Sequence, residues 1–211
     1  MGTLSGMRQV TTEAELREIV KEPPQPIWDK DIARIDQHAR TIIAHSPFVL
    51  LATSAPDGTC DVSPRGDPPG SVLVLDDNTL ALANRPGNRR VDSFRNVLHN
   101  PHVGLLFLVP GMNETLRVNG SATLVSDAPF FDDLVVKDKR PDLAVVVHVE
   151  ELYMHCAKAF LRASLWQPDT WPERNSLPSL GRISKDQMGL KGVPAKVLDA
   201  GLALDAKTNQ Y

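Results

Sequence analysis

Two cysteines in 211 residues, Cys60 and Cys156, are too few for a disulfide framework and do not have the spacing of a zinc site. They read as reduced thiols, as expected of a cytoplasmic protein. No apolar run approaches the ~20 residues of a membrane span, and the N-terminal stretch lacks a signal-peptide core. A membrane partner is therefore not expected. Gly-x-Gly-x-x-Gly is absent, which argues against a Rossmann dinucleotide domain, and so are Gly-x-Ser-x-Gly and any metal-ligand spacing. An excess of positive charge is missing too. The formal net charge is −3, which argues against nucleic acid as the main partner.

What is present is ordinary in bulk and unusual in one place. Hydrophobic content of 42% and charged content of 23% fit a soluble globular chain, one large domain or one domain with appendages. The unusual place is Leu80 to Phe107. Leu80-Ala81-Leu82-Ala83 has the character of a short strand, and Asn84-Arg85-Pro86-Gly87 ends it. A helix is expected next, with Asn88 as its cap and Val91, Phe94, Val97 and Leu98 on one buried face. Asn100-Pro101 stops it, and Val103 to Val109 is a continuous apolar strand. Gly87-Asn88-Arg89-Arg90 thus stands where a strand hands over to a helix N-terminus. Unpaired N–H groups, the helix dipole and arginine forks all favour an anion there. A solvated surface turn is the alternative. A second arginine turn, Ser63-Pro64-Arg65-Gly66-Asp67, lies one hairpin earlier and weighs against it.

The rest of the chain supplies short strands and flanking helices. Residues 1–7 read as a frayed start, Thr12 to Lys21 as a capped helix, and Pro23-Pro24-Gln25-Pro26 as a stiff connector. A second helix is expected from about Asp29 to His45, with Ile32, Ile35, Ala39 and Ile42 on its apolar side. Phe48 to Ser54 reads as a buried strand, Thr59 to Ser63 as its hairpin partner, and Ser63 to Gly70 as too rich in Pro and Gly for a strand. Val72 to Leu75, Leu116 to Val125 and Leu143 to Val149 are further strands, the last apolar on both faces and so central. Helices are expected over Ala128 to Val136 and Glu150 to Arg162. Many short strands with one crossing helix fit a split barrel better than a sandwich. Three parts follow: a helical extension (1–45), a barrel (46–163), and an arm or lid (164–211) that packs on the same domain or a dimer partner.

The run from Leu80 to about Ser126 resembles the core of the pyridoxamine 5'-phosphate oxidase-like, FMN-binding split-barrel superfamily. The residues that carry the likeness are Gly87-Asn88-Arg89-Arg90, then Asn100-Pro101-His102-Val103-Gly104-Leu105-Leu106-Phe107, then Arg117-Val118-Asn119-Gly120-Ser121-Ala122. Looser similarity extends from Phe48 to Trp166. Ser63-Pro64-Arg65-Gly66-Asp67 and His155-Cys156-Ala157-Lys158-Ala159 resemble a bacterial branch of FMN-dependent enzymes rather than the oxidase itself.

The resemblance implies a mainly β fold with helices: a six- to seven-stranded antiparallel split β-barrel with N-terminal helices and a C-terminal helical or irregular arm. It also implies FMN at the interface of a homodimer. The flavin phosphate would fall to Arg65, Asn88, Arg89 and Arg90, with Ser63 and Asn84 as neutral donors. Thr115 matches a family position at the flavin edge, and Arg117 either faces water or lines the substrate mouth. His155 as proton donor and Lys158 as an anion holder are the catalytic candidates; packing and solvation are their plainer roles. The function implied is an FMN-dependent oxidoreductase passing a hydride between flavin N5 and a small organic substrate. The Arg-x-Val-Leu-Leu-Lys strand and Arg-Leu-x-Pro ending of true pyridoxamine phosphate oxidases are missing. A non-catalytic flavin carrier or redox sensor, or a haem- or deazaflavin-binding split barrel, are the alternatives.

Overall fold

The architecture comes from a computed structural model that describes residues 6–211. Residues 1–5, part of the stretch read as a frayed start, lie outside the described residues. The chain divides into two compact units, one ending at Asp31 and one spanning Ile32–Tyr211.

In the first unit, α1 (Glu13–Ile19) opens on the capping box that the sequence predicts. Thr12 Oγ1 accepts from the Glu15 amide at 3.2 Å, and the Glu15 carboxylate accepts from the Thr12 amide at 3.2 Å. The helix buries none of its residues. A single turn, α2 (Gln25–Trp28), follows with Pro26 in its first turn, where a missing N–H costs nothing.

The second unit corrects the long helix expected from Asp29. Ile32 is extended and pairs with Leu152 in both directions, at 3.0 and 2.7 Å. Helix α3 (Gln37–His45) begins only where Asp36 can cap it, its carboxylate accepting from the Ala39 amide at 2.8 Å. Ile35, Ala39 and Ile43 are buried and close one side of the core.

Seven strands make the sheet: β1 (Phe48–Ser54), β2 (Cys60–Gly66), β3 (Leu73–Val74), β4 (Thr79–Ala83), β5 (His102–Leu108), β6 (Thr115–Val125) and β7 (Ala144–His155). Their order is β2-β1-β5-β6-β7-β4-β3, and every neighbouring pair is antiparallel. The ladder does not close; β2 and β3 remain edges. The fold is thus the antiparallel split barrel the sequence implied. Inward rows meet across it, for example Val49, Phe107 and Leu116, or Leu51, Leu105 and Val118. Helix α4 (Asp92–His99) crosses from β4 to β5 and plugs one end with Phe94 and Val97.

Two strands run further than the sequence suggests. Strand β2 continues through Ser63-Pro64-Arg65-Gly66, because an edge strand tolerates a proline that donates nothing outward. Strand β7 continues to His155, where a helix was expected from Glu150; pairing with β6 as far as Thr115↔His155 overrides the local pattern. The segment expected as a helix at Ala128 to Val136 is a 3-10 turn, Pro129–Leu134, which buries Phe131 and Leu134 in a small second core.

After β7 come α5 (Lys158–Ala163), α6 (Leu180–Gln187) and α7 (Ala195–Thr208). The last two form a pair held by Asp199, whose carboxylate accepts from Ser179 Oγ and from the Gly181 amide, both at 2.7 Å. Asp199→Ala leaves both donors unpaired. It is expected to cost this pair about 2 kcal/mol, seen as faster amide exchange over 180–208 while exchange in β1, β5 and β6 stays unchanged.

Candidate functional site

Strand register decides where β2 points its side chains. Asp61, Ser63 and Arg65 pair with Thr53, Leu51 and Val49, all buried inward residues of β1. Residues opposite each other share a face, so these three face inward along the open edge of the barrel. Helix α4 stands against them. Ser93 Oγ donates to Asp61 at 2.6 Å, and the Arg65 guanidinium lies 4.9 Å from the Phe94 ring centroid. The other wall is the connection from β4 to α4, residues 84–91. Between these walls lies a cleft of about 1540 Å³. That exceeds the roughly 300–1,000 Å³ of ordinary small-molecule pockets.

Ser63, Arg65, Asn84, Asn88, Arg89 and Arg90 all line this cleft. Their hydrogen bonds sort them. Arg90 Nε donates to Asp92 at 2.7 Å, so its charge is already paired. Asn88 does not cap α4; its side-chain oxygen accepts from the Arg90 amide at 3.0 Å. Val91, at the helix start with φ +53°, offers no side-chain cap, which leaves the first amides of α4 open. Val91 and Leu98, expected in the core, are exposed instead. Arg89 sits at φ +59° on the exposed turn, with no ion pair among the described residues. Arg65 Nε is buried with no hydrogen-bond partner. Burial pulls its guanidinium below the ordinary arginine range, and nearby Asp61 partly offsets this.

Arg65 lines the cleft while its Nε is shut off from solvent and unpaired, and leaving such a hydrogen bond unmade costs about 1–3 kcal/mol or more. An anion suits it better than water, since Arg65 and Arg89 both present charge. A phosphate group therefore fits this donor set. The walls offer little flat apolar surface: Phe94 is buried beneath Arg65, and Val62 and Val91 are exposed. One chain thus supplies an anion site more fully than a slot for a flat ring.

Several cleft residues have roles that the sequence reading did not assign. Arg85 and Asp67 form a mostly buried ion pair at 2.8 Å, and Arg85 also donates to the Leu134 carbonyl at 2.8 Å. Arg85 is therefore a strut of the wall. The tail contributes Asp205, Asn209, Gln210 and Tyr211. No local signal marks these residues, which reach the cleft only through the path of α7. Burial and the Asp67 carboxylate beside it push the Tyr211 phenol above its ordinary range.

None of Thr115, Arg117, His155 and Lys158 lines the cleft. Thr115 pairs with His155 across β6 and β7, and Thr115 is buried. Arg117 is neither simply solvated nor in the cleft; its Nη1 donates to the Tyr153 hydroxyl at 2.8 Å, with the guanidinium 5.4 Å from that ring's centroid. His155 ends β7 and exposed Lys158 begins α5, so they do not share a helical turn. Among the described residues no group of His, Cys, Asp and Glu could hold a metal ion. No described helix is long and apolar enough to cross a membrane.

A family model described as pyridoxamine 5'-phosphate oxidase matches residues 35–156. No curated protein sequence matches the chain. Three solved structures are similar at low identity. A candidate pyridoxamine 5'-phosphate oxidase from Lactobacillus delbrueckii is 22% identical, over 58% of this chain and 95% of its own, with a TM-score of 0.46. An FMN-binding protein from Syntrophomonas wolfei is 14% identical, over 68% and 93%, with a TM-score of 0.45. The heme storage protein HutZ from Vibrio cholerae is 12% identical, over 58% and 94%, with a TM-score of 0.40.

Proposed function

Because the chain belongs to the pyridoxamine 5'-phosphate oxidase family, we propose that it is an FMN-dependent oxidoreductase acting on a small organic substrate. The observation that carries this reading is the buried, unpartnered Nε of Arg65 at a cleft that Arg89 also lines. In this reading Arg65 and Arg89 hold the flavin phosphate, and the open amides at the start of α4 add neutral donors. Ser63, Asn84 and Asn88 complete the polar lining, and Arg90 sets the turn through Asp92. The flavin, once bound, would carry the electron pair of a hydride exchanged with the substrate at N5.

The chain's remaining task is to orient the ring and move a proton. His155 is the residue for the proton, since an imidazole side chain can both give and take one, and Lys158 is the residue for an anionic substrate. Neither lines the cleft: His155 stands opposite Thr115 on the ladder that also pairs Arg117 with Tyr153, and Lys158 begins α5 three residues on. A homodimer reconciles the two clusters: the β6–β7 end of one protomer would meet the arginine cleft of its partner, and the ring would lie between them. The arm proposed over 164–211 then walls the cleft from the other side.

The first experiment is the visible spectrum of the purified protein, followed by release and identification of the chromophore. Flavin bands with FMN released on denaturation are the expected result. A sharp Soret band would move the protein to haem, and a colourless protein that also refuses added FMN would sink the reading. The same separation of clusters favours one other reading, flavin binding without turnover. His155→Ala decides between them: flavin content should hold while flavin reduction by substrate falls tenfold or more. An unchanged reduction rate favours a carrier.

A further inference from the structure

Residues 201–210, which end α7 and lead away from it, are exposed throughout, yet Tyr211 beyond them is half-buried. Its seat is specific. Lys137 Nζ lies 4.6 Å and the Arg85 guanidinium 5.6 Å from the Tyr211 ring centroid, and the Asp67 carboxylate is beside its hydroxyl. Arg85 is held in place by Asp67 and by the Leu134 carbonyl. Lys137 stands on a tight turn with φ +50°, closed by the bridge between Val136 and Lys139. A fixed cationic seat thus receives one aromatic side chain from an otherwise solvated segment. Asp205, Asn209 and Gln210, which come with it, line the same cleft as Arg65 and Arg89.

We propose that Tyr211 is a latch that fastens α7 across the cleft as its outer wall and so retains whatever the cleft binds. The physical link is short. A helix exposed over its last turns gains little from burial and needs a point anchor to stay closed. An aromatic face between two cations supplies one without a buried apolar patch. The seat uses Arg85, Lys137 and Asp67, so the latch leaves Arg65 and Arg89 to the ligand. Opening exposes the cleft for exchange; closing shields it from water, as lids elsewhere do.

The ligand named in the test rests on the flavin reading, whereas the latch itself does not. Three variants are compared with the parent chain, Tyr211→Phe, Tyr211→Leu and Tyr211→Ala. Without ligand, amide exchange over 195–208 should rise in the Leu and Ala variants and stay at the parent level in the Phe variant, which keeps the ring. With FMN bound, dissociation should be about tenfold faster in Leu and Ala and near parental in Phe. Leucine keeps apolar bulk without the π face, so it separates cation attraction from mere filling. Exchange that is the same in all four proteins overturns the latch. So does faster exchange with unchanged FMN dissociation, or slower dissociation in the Ala variant. If the parent chain takes up no FMN, the flavin reading fails by itself and the exchange comparison still decides the latch.

Discussion

Arg65→Ala combined with Arg89→Ala is expected to give a folded protein that purifies without flavin and takes up added FMN 10²- to 10⁴-fold more weakly. The size follows from two charge-assisted hydrogen bonds to phosphate at roughly 1.5–3 kcal/mol each, a total of about 3–6 kcal/mol. Which arginines to remove is decided by their partners. Arg85 is held by Asp67 at 2.8 Å in a mostly buried pair, and Arg90 Nε is paired with Asp92 at 2.7 Å, so part of each fork is already engaged. Arg90→Ala alone should therefore weaken FMN far less than the double replacement. Arg65→Lys is a sharper single variant. It keeps a positive charge but loses the fork, and an ammonium cannot reproduce a planar bidentate contact. Titration of the ligand-free protein with FMN, followed by flavin fluorescence, measures all of these. Stoichiometric FMN retained with unaltered affinity in the double variant would remove the phosphate assignment. The parent affinity should also fall with added salt, and the double variant should lose most of that dependence.

How much of this was legible in the sequence depends on the range of the forces involved. Strand β1 is read to the residue, Phe48–Ser54, because Ser46-Pro47 and Pro56-Asp57-Gly58 punctuate an apolar run whose character is local. The two arginine turns are equally local, and their residues line one cleft. What sequence could not tell is which arginine is spent. Asp67 lies 18 positions before Arg85, and nothing in their spacing announces a pair. Pairing across strands hid the end of β7 in the same way. Glu150 to His155 has helical composition, but a partner in β6 supplies ladder bonds that local propensity cannot match. The start of α4 fails for a subtler reason: Asn88 satisfies an amide two residues on, which leaves Val91 at φ +53° to open the helix. Tyr211 is the extreme case, a residue with no motif whose meaning comes from Arg85 and Lys137 far back in the chain.

Gly120→Ala should destabilise the fold more than any exposed substitution in the barrel. Gly120 sits at the irregularity in the β6–β7 register, between Asn119 and Gly120. A Cβ there would stand 1.9 Å from the His148 carbonyl oxygen, 3.0 Å from its carbon and 3.3 Å from the Glu150 nitrogen. All three atoms are backbone, so no side chain can rotate away. Strand β7 would have to retreat, yet it is paired with β4 on its other side, Thr79 opposite His148. Relief on one ladder therefore strains the next. Overpacking of this kind costs about 3 kcal/mol or more, and for a chain of this size that lowers Tm by roughly 6–12 °C. Gly104→Ala is the control on the neighbouring strand. Its Cβ would meet the Asn119 side-chain oxygen at 3.3 Å and Ala52 Cβ at 3.8 Å, contacts that a small side-chain shift accommodates. A cost under about 1.5 kcal/mol is expected there. Equal Tm losses for the two variants would mean that β6 and β7 do not approach as closely as the bulge requires. A large loss confined to Gly120 would identify the bulge as the point that fixes the register, and through it the positions of Thr115, Arg117 and His155 at the end of the same ladder.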